Sequence, residues 1–251
     1  ELDLHAPVAR YWPEFAANGK ENVEVRHFLS HSAGLPGWDE PLQQSDLWDH
    51  EKCASALARQ RPWWEPGTAS GYHAISQGYL VGEVVRRVTG QTLGTFFRKE
   101  IAEPLGADFH IGTGAEHDAR IVPIIPPEAA LPPGLDPTSI PMRVFSNPPM
   151  DPAMALTTEW RRCESPAANG QGNARSLART QSVVSHGGEV DGRRFLSEKT
   201  CRRVFEQQTS GVDMVLGLPV SFGMGYAFPS PEMPVGGPGA CFWGGWGGSL
   251  V

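Results

Sequence analysis

The period of the apolar residues changes along this chain, and that change limits what it can fold into. From about Ala74 to Val88 the residues Val81, Val84, Val85 and Val88 recur at i, i+3, i+4 and i+7, the buried stripe of a helix. Gln77, Glu83, Arg86 and Arg87 lie off that stripe, and Gly90 stops the helix. From Val220 the spacing becomes two. Val220, Phe222, Met224, Tyr226 and Phe228 alternate with Ser221, Gly223, Gly225 and Ala227, which predicts a half-buried strand with one face made small. After a Pro/Gly loop, residues 240–251 read as a second strand able to pair with the first as a hairpin. Further helices are predicted at 24–32, 46–60, 92–102, 174–185 and 197–208, with turns at Gly187-Gly188 and Asp191-Gly192. Residues 107–152 read as irregular and Pro-rich, either a lid or pocket wall or a plain surface excursion. Residues 1–170 are thus mainly helix and loop, and residues 171–251 are helices followed by strands, within one partial domain spanning 1–251.

Composition narrows the class. A length of 251 residues is enough for a large core, and 40% apolar with 20% charged residues is ordinary for a soluble globular protein. A net charge of −7 argues against a nucleic-acid binder. No window is long and apolar enough to span a membrane. Cys53, Cys163, Cys201 and Cys241 are scattered without a Cys-x-x-Cys pair, which predicts free thiols in a reducing, cytoplasmic compartment. His27 and His31 stand four apart, but Phe28 occupies the place of the glutamate in a His-Glu-x-x-His helix, so no metal site is expected there or at His110 and His117. Ser32 beside His31 reads as a helix-end cap, because adjacent residues on a helix face different directions. The pair Trp63-Trp64 reads as pocket wall or core packing.

Two segments carry chemistry. Five glycines among residues 239–248 weaken a strand, and such a strand is tolerated where something must approach its backbone closely. A strand edge of that kind donates an N–H to an oxyanion in acyl-transfer enzymes; a barrel corner or a bulged edge strand is the other reading. Tyr72 follows a Pro-Gly-Thr turn and precedes the clearest helix, so its side chain is fixed at a loop-to-helix junction. Adjacent cations lower a phenol's pKa from about 10 and make a phenolate base possible. A core tyrosine with a satisfied hydroxyl is the rival reading.

The run from Pro66 to Gly106, with its turn, Tyr72, the helix, Thr89-Gly90 and Pro104-Leu105-Gly106, resembles the tyrosine-bearing segment of β-lactamase-related serine hydrolases. Residues 27–36 (His-Phe-Leu-Ser-His-Ser-Ala-Gly-Leu-Pro), 174–179 and 187–194 resemble further segments of that family. Trp243-Gly244-Gly245 stands where penicillin-binding proteins carry Lys-Thr-Gly, and the Trp form is similar to family VIII carboxylesterases. The resemblance covers essentially the whole chain, and the order and spacing of the motifs make it specific.

The resemblance implies an α+β, β-lactamase/transpeptidase-like fold: an antiparallel sheet with flanking helices and a helical lobe, here incomplete at both ends. It implies a serine hydrolase that cleaves small-molecule esters through an acyl-enzyme, with no metal or organic cofactor. A β-lactamase, D-aminopeptidase or acyltransferase of the same fold, or a non-catalytic binding module, are the alternatives. Tyr72 matches the family's proton-transfer tyrosine, and the backbone N–H of Trp246 matches the oxyanion donor. Trp243, Gly244 and Gly245 match the substrate-binding strand. An indole has no charge to hold a substrate carboxylate, so Trp243 in place of lysine favours neutral esters. Ala74 takes the place of the asparagine in Tyr-x-Asn, which also weakens a β-lactam reading. The family's Ser-x-x-Lys is absent: three residues before Lys20, Lys52, Lys99 and Lys199 stand Ala17, Asp49, Phe96 and Leu196. The expectation is that the nucleophile lies upstream of residue 1 and that these residues alone are inactive.

Overall fold

The structure, a computed structural model, describes residues 2–125, 136–237, 239–245 and 248–251. Helices dominate up to residue 205, and the strands that organise the site come last. The order is α1 (Val25–Leu29), α2 (His50–Arg59), α3 (Ser76–Thr89), α4 (Leu93–Phe97), α5 (Glu103–Leu105), β1 (Phe109–His110), α6 (Ile140–Ser146), α7 (Thr158–Arg162), β2 (Gln171–Gly172), α8 (Ala174–Ser185), β3 (Glu189–Val190), β4 (Arg193–Arg194), α9 (Glu198–Arg202), β5 (Thr209–Val212) and β6 (Pro219–Phe222). A wider π turn, Arg98–Ala102, joins α4 to α5, and short 3-10 turns fill much of the remainder. Among the described residues three antiparallel pairs form: β1 with β2, β3 with β4, and β5 with β6.

The largest apolar cluster is built by the first 84 residues. Trp12, Phe15, Phe28, Leu35, Leu47, Leu57, Tyr79 and Leu80 pack with their neighbours on α1, α2 and α3. Helix α3 forms where the period predicts it, but the buried face is turned. Ser76, Tyr79, Leu80, Glu83 and Val84 are buried, whereas Val88 of the expected stripe is exposed. The reason is close approach to α2: a Cβ on Gly82 would sit 2.9 Å from His50 Cε1, so this flank of the helix can be enclosed. Glu83 is tolerated inside because Arg86 and Arg87 each donate to it at 2.7 Å and His50 stands at 3.4 Å. Those guanidiniums and hydrogen bonds hold its carboxyl well below the usual carboxylate range, against the opposing effect of burial.

The end of the chain corrects two strand expectations. The alternation of 220–228 is not one strand. β6 stops at Phe222, the chain turns through Gly223–Gly225, and Ala227 comes back to pair with Phe222. The Gly223 N–H donates to the Tyr226 carbonyl at 2.8 Å, and the Phe228 N–H to the Ser221 carbonyl at 2.9 Å. The small residues read as one strand face are therefore partly a turn. Residues 240–251 likewise fold back: Phe242 exchanges both backbone hydrogen bonds with Ala227, at 2.9 and 3.0 Å, and Trp243 does the same with Val251. The predicted pairing of the two stretches is present at Phe242 and Ala227, and each stretch bends into a hairpin of its own.

Elsewhere the expected helices form, α8 with the predicted limits and others shorter. The helix at 24–32 is the five residues of α1, and that at 197–208 is α9 followed by a 3-10 turn, Arg203–Phe205. The predicted turn at Asp191-Gly192 closes the β3–β4 hairpin. Residues 107–152 hold more structure than predicted, since α6 and β1 lie within them; residues 126–135 lie outside the described residues. The Asn147 side chain fixes the end of α6 to the loop after α1, donating to the Trp38 and Glu40 carbonyls and accepting from the Leu42 N–H.

Candidate active site

Tyr72 is placed by backbone bonds on three successive residues. The Gly71 N–H donates to the His31 carbonyl at 3.0 Å, the Tyr72 N–H to Asp213 Oδ1 at 2.9 Å, and the His73 N–H to His31 Nδ1 at 3.0 Å. The junction expected to be rigid is thus held at every residue. Gly71 has a steric reason as well: a Cβ there would lie 2.4 Å from Trp64 Cη2. Trp64, half-buried, therefore packs beneath the turn, and its indole N–H donates to the Ala69 carbonyl at 3.0 Å.

His31 is the hub of the site, and its role was not read from the sequence. Its ring is 1% exposed and sits on a left-handed backbone at φ 55°. It stacks on Trp243 (centroids 5.2 Å apart, planes 18° apart) and meets Tyr72 edge-on at 5.1 Å and Phe222 at 4.8 Å. Tyr72 and Trp243 are themselves 5.8 Å apart. Sequence positions 31, 72, 222 and 243 thereby form one aromatic cluster. Its only sequence signal was the family-like run at 27–36, which gave His31 no task.

His31 and His73, the buried histidines of this cluster, are neutral. Leu35 N–H donates to His73 Nε2 at 3.2 Å, so the ring proton is on Nδ1, 2.6 Å from the Gly71 carbonyl. His31 Nδ1 accepts from His73, which places its proton on Nε2. Burial pushes His73 down to about 4 and holds His31 well below the ordinary histidine range. The Tyr72 phenol moves the other way from the depression that adjacent cations would give. Burial raises it above its ordinary value, and the Asp213 carboxylate raises it further. Its oxygen makes no hydrogen bond among the described residues.

The other sequence candidates sit as follows. Trp243 is half-buried in the cluster, and Gly244 and Gly245 are exposed beside it. A Cβ on Gly244 would meet nothing within 4 Å, while one on Gly245 would lie 2.2 Å from Ser249 Oγ. Trp246 lies outside the described residues. Lys20, the one buried lysine among them, donates to the Ala17 carbonyl at 2.6 Å and to the Gln60 carbonyl. Burial lowers it to about 8, but those bonds commit it to the N-terminal core and not to Tyr72. His27 caps α1, its Nδ1 accepting from the Glu24 N–H at 3.2 Å. His110 and His117 pair ring to ring at 4.3 Å beside a cleft of about 480 Å³ that shares no residue with the Tyr72 cluster. Among the described residues no three His, Cys, Asp or Glu side chains are placed to hold a metal ion, and the four cysteines are free thiols.

Truncating the hub tests its weight. His31→Ala removes a buried ring and leaves the His73 N–H without its acceptor, a loss of about 2–4 kcal/mol. For a chain of this size that lowers Tm by roughly 5–15 °C. An unchanged melting curve would show that the cluster is held by other contacts.

The fold and this arrangement together define a β-lactamase/transpeptidase-like scaffold. The Beta-lactamase family model matches residues 1–251, and the chain belongs to that family. It is 36% identical over 249 residues to an esterase/beta-lactamase, LipL, of Mycobacterium tuberculosis, covering 94% of this chain and 56% of that protein. Among solved structures it is similar to a family VIII carboxylesterase, with TM-score 0.89 and 37% identity over 99% of this chain and 66% of the other. It is similar also to a penicillin-binding protein homologue from Caulobacter crescentus, with TM-score 0.87 and 36% identity, over 99% of this chain and 67% of the other. The chain therefore spans little more than half of the curated relative and about two thirds of these structures. Among the described residues no helix is long and apolar enough to cross a membrane.

Proposed function

We propose that the whole protein carrying this chain is a carboxylic-ester hydrolase acting through a serine acyl-enzyme. The observation that carries the reading is the Tyr72 phenol. It is anchored through three backbone N–H groups, free of hydrogen bonds among the described residues, and packed against Trp243. The names of the similar proteins, esterase/beta-lactamase and family VIII carboxylesterase, support the same chemistry.

In this reading the serine of a Ser-x-x-Lys that these 251 residues do not contain attacks the ester carbonyl. Its proton passes through Tyr72 to the leaving alkoxide, and water then releases the acid by the reverse route. The Trp246 N–H steadies the developing oxyanion. Trp243, Gly244 and Gly245 line the acyl side, where an uncharged indole favours neutral esters. The substrate is a small-molecule ester, no cofactor or nucleic acid takes part, and four free thiols accord with a cytoplasmic protein. The absence of Ser-x-x-Lys favours a second reading for these residues by themselves, a pocket without turnover.

Labelling with a fluorophosphonate tests both. The complete gene product should gain one adduct by intact mass, and residues 1–251 alone should gain none. Stoichiometric labelling of the 251-residue chain would overturn the assignment by showing an activated serine within it. Paired rates on a nitrophenyl ester and a chromogenic cephalosporin should favour the ester; the reverse preference would point to a β-lactamase.

A further inference from the structure

The loop between β5 and β6 reaches across 141 positions of sequence to grip the tyrosine, through one side chain. Asp213 is fully buried. Its Oδ1 accepts three backbone N–H groups, those of Tyr72, Val215 and Leu216, each at 2.9 Å. Two of these close its own turn, and the third is the residue assigned to proton transfer. The Met214 N–H adds a second tie, to the Ser70 carbonyl at 2.9 Å, so the turn is docked on both sides of Gly71. Oδ2 is buried without a hydrogen-bond partner among the described residues. A buried carboxylate oxygen left unpaired is costly. An asparagine, or any backbone carbonyl in that place, would serve the three N–H groups without a charge.

We propose that Asp213 is a positioning residue for Tyr72: one oxygen fixes the tyrosine backbone, and the carboxylate charge sets the electrostatic field in which the phenol works. The proposal rests on Tyr72 being the proton-transfer group. Among the described residues, the groups that face the phenol leave Asp213 as a source of that field. His31, from the end of α1, meets the ring edge-on and is neutral; His73, next in the chain, is neutral; Trp243 carries no charge. The Asp213 carboxylate acts on the phenol and opposes its ionisation.

Two variants separate the backbone grip from the charge. Asp213→Asn keeps an acceptor for the three N–H groups and removes the charge. Asp213→Ala removes both. The readout is the titration of a fluorotyrosine incorporated at position 72, followed by 19F NMR in the complete gene product, beside kcat and KM for a neutral nitrophenyl ester across pH. With Asp213→Asn the phenol should titrate at lower pH than wild type, and the limb of the rate profile controlled by Tyr72 should move the same way. With Asp213→Ala, kcat should fall about tenfold or more while KM stays within about threefold. A fluorophenol that titrates at the wild-type pH in Asp213→Asn overturns the proposal, whatever happens to stability. If the titration moves but no variant and no wild type hydrolyses esters, the electrostatic role stands and the esterase reading fails.

Discussion

Replacing Tyr72 by Phe should lower kcat/KM for a neutral nitrophenyl ester by about 10²–10⁴ in the complete protein, the range a single positioned proton-transfer group contributes. The melting temperature should stay within a degree or two. The physical basis is the division of labour at this residue. Its backbone N–H holds the fold together by donating to Asp213, and that bond survives the substitution. Its phenol oxygen makes no hydrogen bond among the described residues, so removing it leaves no buried partner unsatisfied. The ring remains to pack edge-on against His31 and against Trp243. Activity and stability should therefore separate cleanly. A core tyrosine would behave otherwise: loss of the hydroxyl would cost stability and spare the chemistry. Because burial and Asp213 both raise the phenol, it is protonated at neutral pH in the described surroundings. The Tyr72→Phe protein should accordingly lose the limb of the pH–rate profile that the phenol controls. A Tyr72→Phe enzyme with undiminished kcat/KM would remove Tyr72 from the reaction.

The second large effect is on stability and comes from the buried neutral histidines. His27 and His73 are each lowered to about 4 by burial, and His31 lies well below its ordinary value for the same reason. All three take up protons in the unfolded chain near pH 6.5 and resist doing so in the folded one. The unfolded state then binds more protons as pH falls, so stability is fully present above about 6.5 and is lost on going from there towards 4. His27 and His73 each account for about 1.4 kcal/mol per pH unit in that window, on the order of 3 kcal/mol at its lower end, and His31 acts in the same direction. Glu83 and the other paired carboxylates act in the same direction, at lower pH. Urea midpoints measured at pH 7, 6, 5 and 4 should drop steeply below 6.5, and His73→Gln should flatten part of the slope. A stability that does not vary between pH 7 and 5 would contradict the neutral assignment of these rings.

How much of this was legible in the residues can be followed element by element. Helix α3 was readable because a 3.6-residue period is a local property, and Gly90 marked its end. Which flank of α3 is buried was not readable. Glu83 goes inside and Val88 outside because α2 packs closely at Gly82, and that contact belongs to a neighbour and not to the helix. The β-hairpin turn at Asp191-Gly192 was written in two residues. The bend after Phe222 was hidden, because glycine and small residues serve equally as the small face of a strand and as a turn.

The same boundary runs through the site. Residue order alone carries the family-like motifs, the position of Tyr72 at a loop-to-helix junction and of Trp243 in a Gly-rich segment, and the absence of Ser-x-x-Lys. Each of those is a matter of residue type and local spacing. Packing in three dimensions is what brings His31 to Tyr72, Phe222 and Trp243, lets Asp213 hold Tyr72 from 141 positions away, and raises the phenol rather than lowering it. Those are consequences of burial and of distances between segments remote in the chain, and neither quantity exists until the chain has packed.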